Sequence, residues 1–286
     1  VIVAVCADKG SPGVTTTATV VAMAWPEQRL LLEADPSGGD LAFRAQRRDG
    51  GGLLATEPGL LALAADARIG TAPEALPRYA QPTAWGVDVV IGPPSAHASA
   101  PMRNLWPAVA SGAAAWPGTA IADLGRLYPG SPALTLAHKA TAVLVLARLN
   151  VGSLYHLRDR VTELAHTIGD PSRDRNPVAV VVLARPHAAG EAVRQVTRML
   201  EAVGCPIPVA GTIAVDPKTA QRLHHGQLPP RLERTDLFRS ATELAATVCQ
   251  WWPELAPRPA EVAGNADATG AADSSERAAA APGGAR

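Results

Sequence analysis

The sequence predicts an open, doubly wound α/β domain with a mostly parallel sheet and helices on both faces. Three observations carry that expectation: short apolar runs, helix-length segments between them, and Gly/Pro-rich breakers where the two meet. The runs fall at 1–7 (VIVAVCA), 29–34 (RLLLEA), 87–92 (VDVVIG), 119–124 (TAIADL), 141–147 (TAVLVLA), 178–184 (VAVVVLA) and 208–213 (PVAGTI). Several are apolar throughout, as strands buried on both faces must be.

Helices are expected over 15–25, 60–67, 103–115, 153–168, 191–203, 218–225 and 237–252. In the fourth of these, Leu154, Leu157, Val161 and Leu164 recur at helical spacing, so one face should pack on the sheet. Breakers such as GPPSAHASAP and GDPSRDRNP mark loops. The domain is expected over 1–256. From 257 to 286 the chain turns Ala- and Gly-rich with almost no large apolar groups, and such a segment buries too little surface to offset its ordering entropy. A disordered tail is expected there.

Composition narrows the function classes. The 286 residues carry 26 Lys plus Arg against 26 Asp plus Glu, so no global field draws the protein to nucleic acid or to an anionic membrane. The three cysteines, Cys6, Cys205 and Cys249, are widely spaced in apolar runs, which suits buried thiols in a reducing cytoplasm better than a disulfide framework. No run approaches the ~18 apolar residues of a spanning helix, so no integral membrane segment is expected. The opening run reads as a strand and not a signal peptide, and the absence of an initiator Met reads as a trimmed start. The seven histidines show no metal-ligand spacing.

The chemistry lies in the first forty residues and near position 123. A phosphate loop needs a strand, a glycine-rich turn with inward N–H groups, and a helix N-terminus whose dipole favours anions. The stretch VIVAVCADKGSPGVTTTATVVAMAW supplies these in order, with Gly10 and Gly13 for close approach and Thr15 to place a hydroxyl on Mg²⁺. The same residues also suit an ordinary strand-to-helix turn with a Thr cap. LLLEADPSGGD then ends a buried strand with Glu33 and Asp35 two residues apart, hence on one side, at the edge where parallel sheets bind ligands. A third carboxylate, Asp123, follows the apolar run in GTAIADLGR, where a metal- or water-ordering acid of a phosphate-loop protein is expected. Singly, each acid also suits a solvated strand end or a helix cap; together they follow the order of a nucleotide site.

From residue 1 to about 250 the sequence resembles the ParA/MinD group of deviant Walker ATPases, and the stretch YAQPTAWGVDVVIGPPS is most like its pilus-assembly and septum-site branch. The group's loop has the form KGGxGKTT, and KGSPGVTT matches at Lys9, Gly10, Gly13, Thr15 and Thr16. The resemblance implies a phosphate-loop NTPase fold, ATP and Mg²⁺ as cofactors, and a homodimer with nucleotide between its protomers. By position, Lys9 would reach the partner's nucleotide. The stretch Lys9, Gly10, Ser11, Pro12, Gly13, Val14, Thr15 and Thr16 would cradle phosphates. Thr15 and Asp123 would hold the metal, Asp35 would orient the attacking water, and Asp216 would contact the adenine side. An unidentified protein partner is implied as well.

The sequence departs from the pattern at three places: Val14 stands at the in-loop lysine, RPH replaces an asparagine after residue 184, and Val215 replaces a proline. Losing one charge-assisted contact costs about 1.5–3 kcal/mol, roughly ten- to a hundredfold in affinity. Losing a preorganised donor to the transferred phosphoryl group costs about 100- to 1000-fold in rate. The expectation is therefore a nucleotide-dependent switch or positioning protein for partitioning, septum placement or pilus assembly, with slow or absent hydrolysis. The alternative from a different class is a non-hydrolysing scaffold that dimerises and recruits a partner. Arg222, Arg231, Arg234 and Arg239 would suit nonspecific DNA contact, but Glu233, Asp236 and Glu243 interleave with them as on a solvated face.

Overall fold

The computed structural model describes residues 1–8, 12–69, 73–169 and 175–256. The segment expected to form a tail, 257–286, lies outside the described residues, as do Lys9, Gly10 and Ser11. The strands are β1 (Ile2–Ala7), β2 (Arg29–Glu33), β3 (Gln81–Pro82), β4 (Asp88–Val90), β5 (Thr119–Arg126), β6 (Ala142–Arg148), β7 (Val178–Ala184) and β8 (Val209–Ala214). They form one sheet in the order β3-β4-β2-β5-β1-β6-β7-β8. Every neighbouring pair is parallel except the edge pair β3 and β4. The chain builds outward from β1 on one side, returns through β5, and continues on the other side with β6, β7 and β8. The reversal of strand order thus falls beside β1, where open α/β sheets bind ligands.

All seven predicted strands are present. The eighth, β3, is two residues long and contains Pro82, which has no N–H to give a ladder and so suits an edge. Two residues carry no periodicity to read.

The helices are α1 (Val14–Ala24), α2 (Leu60–Ala67), α3 (Ala96–Ser99), α4 (Trp106–Ala115), α5 (Leu134–Lys139), α6 (Val151–Ile168), α7 (Ala189–Ala202), α8 (Pro217–His224) and α9 (Asp236–Trp251). Successive residues of β1 point to opposite faces, and the packing follows. Ile2, Ala4 and Cys6 join a core with α2, α4, α5, α6 and α7, including Leu63, Trp106, Leu136, Val161 and Val196. Val3, Val5 and Ala7 join a second core with α1, α8 and α9, including Val21, Leu223, Leu244 and Val248. Leu157, Val161 and Leu164 are buried, as their spacing predicts. The three cysteines are buried free thiols, and burial pushes Cys6 up to about 12.

Helix boundaries shift where a cap decides them. The helix expected from 153 starts at Val151 because the Asn150 side chain accepts the Ser153 N–H. The helix expected from 103 starts at Trp106, after a short 3₁₀ turn over Ala100–Met102, with Pro107 in its first turn. The short α3 and α5 were not expected, since four and six residues span too few turns to show a stripe.

Candidate functional site

The carboxyl ends of β2, β5 and β1 lie side by side. Their register sets Glu33 beside Asp123 and Asp123 beside Val5, so the loops that follow all rise from one edge. They enclose a cleft of about 610 Å³ lined by Gly13 to Thr16, Glu33, Asp35, residues 37–40, Arg44, Asp123, Gly125, Arg126 and His224.

One wall is the start of α1. Gly13 caps the helix at φ 95°, and no side chain caps it, so the first-turn N–H groups are left to the cleft. Thr15 and Thr16 are half-buried on that wall, while Pro12 is buried. Val14 is only 6% exposed and belongs to the apolar core beneath α1. Position 14 therefore offers the cleft an apolar wall and no ammonium group.

Asp123 forms the floor, 1% exposed. Its Oδ1 accepts the Gly125 N–H at 3.0 Å, and its Oδ2 has no partner of ordinary hydrogen-bond geometry. Burial pushes its carboxyl up to about 7. The nearby Thr15 hydroxyl and the Gly125 N–H pull the other way, and the charges of Glu33 and Asp35 add to the rise.

Glu33 behaves differently from the solvated strand end its position also allowed. It is 2% exposed, its Oε1 accepts the N–H groups of Asp40 (2.9 Å) and Leu41 (3.0 Å), and its Oε2 accepts that of Gly92 (2.8 Å). Burial raises its carboxyl above the usual range against the pull of those three donors. Gly39 lies directly on this carboxylate, where a Cβ would overlap it. Asp35 lies past the end of β2, half-buried, accepting the Ser37 N–H at 2.8 Å. Its carboxylate rests on Gly125, which adopts φ +57° and has no room for a Cβ. Asp35 and Asp123 thus meet the same glycine from two sides, and burial also raises Asp35.

The positive charge in the cleft comes from residues the sequence reading did not single out. Arg44 Nε donates to Asp40 Oδ1 at 2.9 Å on the β2 side. Arg126, the last residue of β5, donates from Nε to the carbonyl of Asp8 at 2.8 Å. Asp8 is held from the other direction by Arg160 of α6, 6% exposed, whose Nε donates to Asp8 Oδ1 at 3.0 Å and whose Nη1 reaches Glu163 at 2.7 Å. His224 lines the cleft from the last turn of α8. Arg126 carried a signal, a charge three residues past Asp123; Arg44 and His224 arrive from separate elements and carried none.

Asp216 is placed at the start of α8, outside the lining of this cleft, with Oδ1 accepting the Thr219 N–H and Oδ2 accepting its hydroxyl. Replacing it by Ala is expected to cost about 1 kcal/mol, read as a lower urea midpoint with unchanged slope. In the basic region after α8, Arg239 pairs with Asp236 at 2.6 Å.

Among the described residues, no group of three or more His, Cys, Asp or Glu is placed to hold a metal ion alone, and no helix is long and apolar enough to cross a membrane. A Mg²⁺–nucleotide needs less from the protein, because the ion keeps waters and phosphate oxygens and takes one or two protein oxygens. The partnerless, buried Oδ2 of Asp123 beside Thr15 fits that demand.

Strand order and the parallel pairing of all but one edge pair define an open, doubly wound α/β architecture. Within it, the fold is of the ParA/MinD type. A ParA family ATPase from Chlorobium tepidum TLS superposes with a TM-score of 0.65 at 12% identity, covering 86% of this chain and 98% of that one. The cell division ATPase MinD of Pyrococcus furiosus gives 0.65 at 14%, covering 87% and 98%. The septum site-determining protein MinD of Pyrococcus horikoshii OT3, complexed with Mg-ADP, gives 0.64 at 13%, covering 89% and 98%. At these identities the likeness is one of fold. No protein-family model and no curated protein sequence matches the chain.

Proposed function

We propose that this chain is a nucleotide-dependent switch or positioning protein of the ParA/MinD type, which binds adenine nucleotide with Mg²⁺ and hydrolyses it slowly or not at all. The α1 N-terminus would take the phosphates. The Thr15 hydroxyl and Asp123 would hold Mg²⁺, which supplies charge neutralisation of the phosphates when bound. Asp35, aimed over Gly125, would order water. Nucleotide would lie between two protomers with Lys9 acting in trans, and a protein partner would read the nucleotide state in partitioning, septum placement or assembly of a pilus. A cytoplasmic location accords with that role, and nonspecific DNA remains the lesser partner because an acid pairs with part of the basic face.

The observation that carries this reading is Val14: a buried apolar side chain where the resemblance implies a phosphate-binding lysine, within a cleft otherwise equipped for phosphate. Calorimetry with Mg-ADP and Mg-ATP, followed by phosphate release, tests it. Binding with turnover at least about 100-fold below that of Val14→Lys is expected. Rapid turnover by the natural sequence would overturn the account of Val14. No binding, with a dimer that forms regardless, would favour the scaffold reading, to which the same valine also lends support.

A further inference from the structure

The cleft lacks an ammonium group at position 14, yet a polyphosphate needs a cation beside its terminal oxygens. Two arginines line the cleft, and they differ in what already holds them. Arg44 stands on the β2 side with its Nε committed to the Asp40 carboxylate. Arg126 stands on the phosphate-loop side, paired in register with Ala7, the last residue of β1. Its Nε is spent on a neutral acceptor, the Asp8 carbonyl, and among the described residues its guanidinium forms no ion pair with a carboxylate.

That geometry leaves a usable fork. A guanidinium carries five N–H donors, and anchoring through Nε leaves the four on Nη1 and Nη2. The side chain is exposed, so desolvation does not work against its charge. It shares the cleft lining with Gly13, Thr15 and Asp123, so the α1 N-terminus, the implied metal ligands and this guanidinium border one cleft. Paired N–H donors match pairs of phosphate oxygens, which an ammonium cannot do.

We propose that Arg126, at the end of β5, supplies the phosphate-facing positive charge that Val14 does not, and so selects nucleoside di- and triphosphates over monophosphates. The inference rests on the nucleotide reading above. It replaces a cation carried by the helix with one carried by the neighbouring strand and hooked to residue 8. The cation therefore approaches from the Asp123 side of the cleft, on the same strand as the proposed metal ligand.

The test is calorimetry of Mg-ADP and of AMP on the full chain, comparing the natural sequence with Arg126→Gln, Arg126→Lys, Val14→Lys and the double variant Val14→Lys/Arg126→Gln, with apo melting curves for each. Arg126→Gln is expected to weaken Mg-ADP about ten- to a hundredfold, to change AMP by no more than about threefold, and to leave the apo melting curve in place. Arg126→Lys, which keeps the charge and loses the fork, falls between. The double variant regains affinity for Mg-ADP, and by more than Val14→Lys gains in the natural background, which an added ammonium group independent of Arg126 would not give. Natural-sequence binding that Arg126→Gln leaves unchanged overturns this inference and spares the nucleotide reading. Equal losses for Mg-ADP and AMP with a lowered melting temperature overturn it in favour of a purely structural arginine. No Mg-ADP binding by the natural sequence overturns both.

Discussion

Asp123→Asn is expected to make the ligand-free protein more stable at pH 8 while removing the contribution of Mg²⁺ to nucleotide binding. The two effects share one cause. The Asp123 carboxyl, pushed up to about 7 chiefly by burial, is charged above that pH in a place that gives its Oδ2 no partner. In the unfolded chain the same carboxyl titrates near its ordinary value of 3.8. Between those values the folded state holds a proton that the unfolded state has released, so stability falls as pH rises. The contribution is fully present below the unfolded value and is lost as pH climbs through about 7. Its size is a few kcal/mol, about 4 at most for the full shift. Asn keeps an oxygen for the Gly125 N–H and carries no charge, so its stability should depend less on pH across that window. Glu33, also raised, adds a slope of the same sign that persists in the variant. Thermal melts from pH 4 to 8 of both proteins decide the matter. Identical slopes would mean that Asp123 is not the buried charge described, and undiminished Mg²⁺ dependence of nucleotide binding would remove it from the proposed metal site.

Glu33→Ala should be among the most damaging single changes in the domain. It would leave three N–H groups, those of Asp40, Leu41 and Gly92, without the carboxylate that now accepts them. Each stranded donor costs about 1–3 kcal/mol, so a loss of about 3 kcal/mol or more is expected by urea denaturation. Glu33→Gln is the sharper probe. Its single oxygen suits either the Asp40 and Leu41 pair or Gly92, and its amide then points a donor at a donor, so it should fall between alanine and the natural residue. If Gln proved neutral, the carboxylate would not be holding both loops. Because Gly39 packs on this carboxylate and the 37–40 segment lines the cleft, either change should also loosen the wall that carries Asp35 and Arg44.

How much of this was legible follows from distance along the chain. β6 and β7 announce themselves because seven consecutive residues each, largely apolar, leave no other reading for a segment between helices. Asp123 and Asp35 were legible as acids at strand ends following a glycine-rich turn. Glu33 was noticed as an acid, but not its work, since its acceptor roles reach 7, 8 and 59 residues ahead. The cap at Asp216 was readable in principle from Asp-Pro-Lys-Thr, an acid before a first-turn proline. Arg44 and His224 meet in one cleft only because the loop after β2 and the end of α8 both fold over the same sheet edge, and no local pattern encodes that. Val14 shows the reverse case. Its chemistry was plain from the sequence, and the structure added where the side chain goes.

The double hold on Asp8 has one more consequence. Its carbonyl is gripped from β5 and its carboxylate from α6, so the chain leaves β1 toward the phosphate loop from a fixed point, just as it enters α1 from a fixed Gly13. A binding site whose ends are already fastened has less freedom to surrender when a ligand arrives, and more of its intrinsic attraction survives as affinity. The stiffness is charged to the folding equilibrium, where it is shared with an entire core, instead of to each encounter with ligand. A cleft whose position 14 offers an apolar wall would have, in this preorganisation, a contribution to affinity separate from the charges that face the ligand.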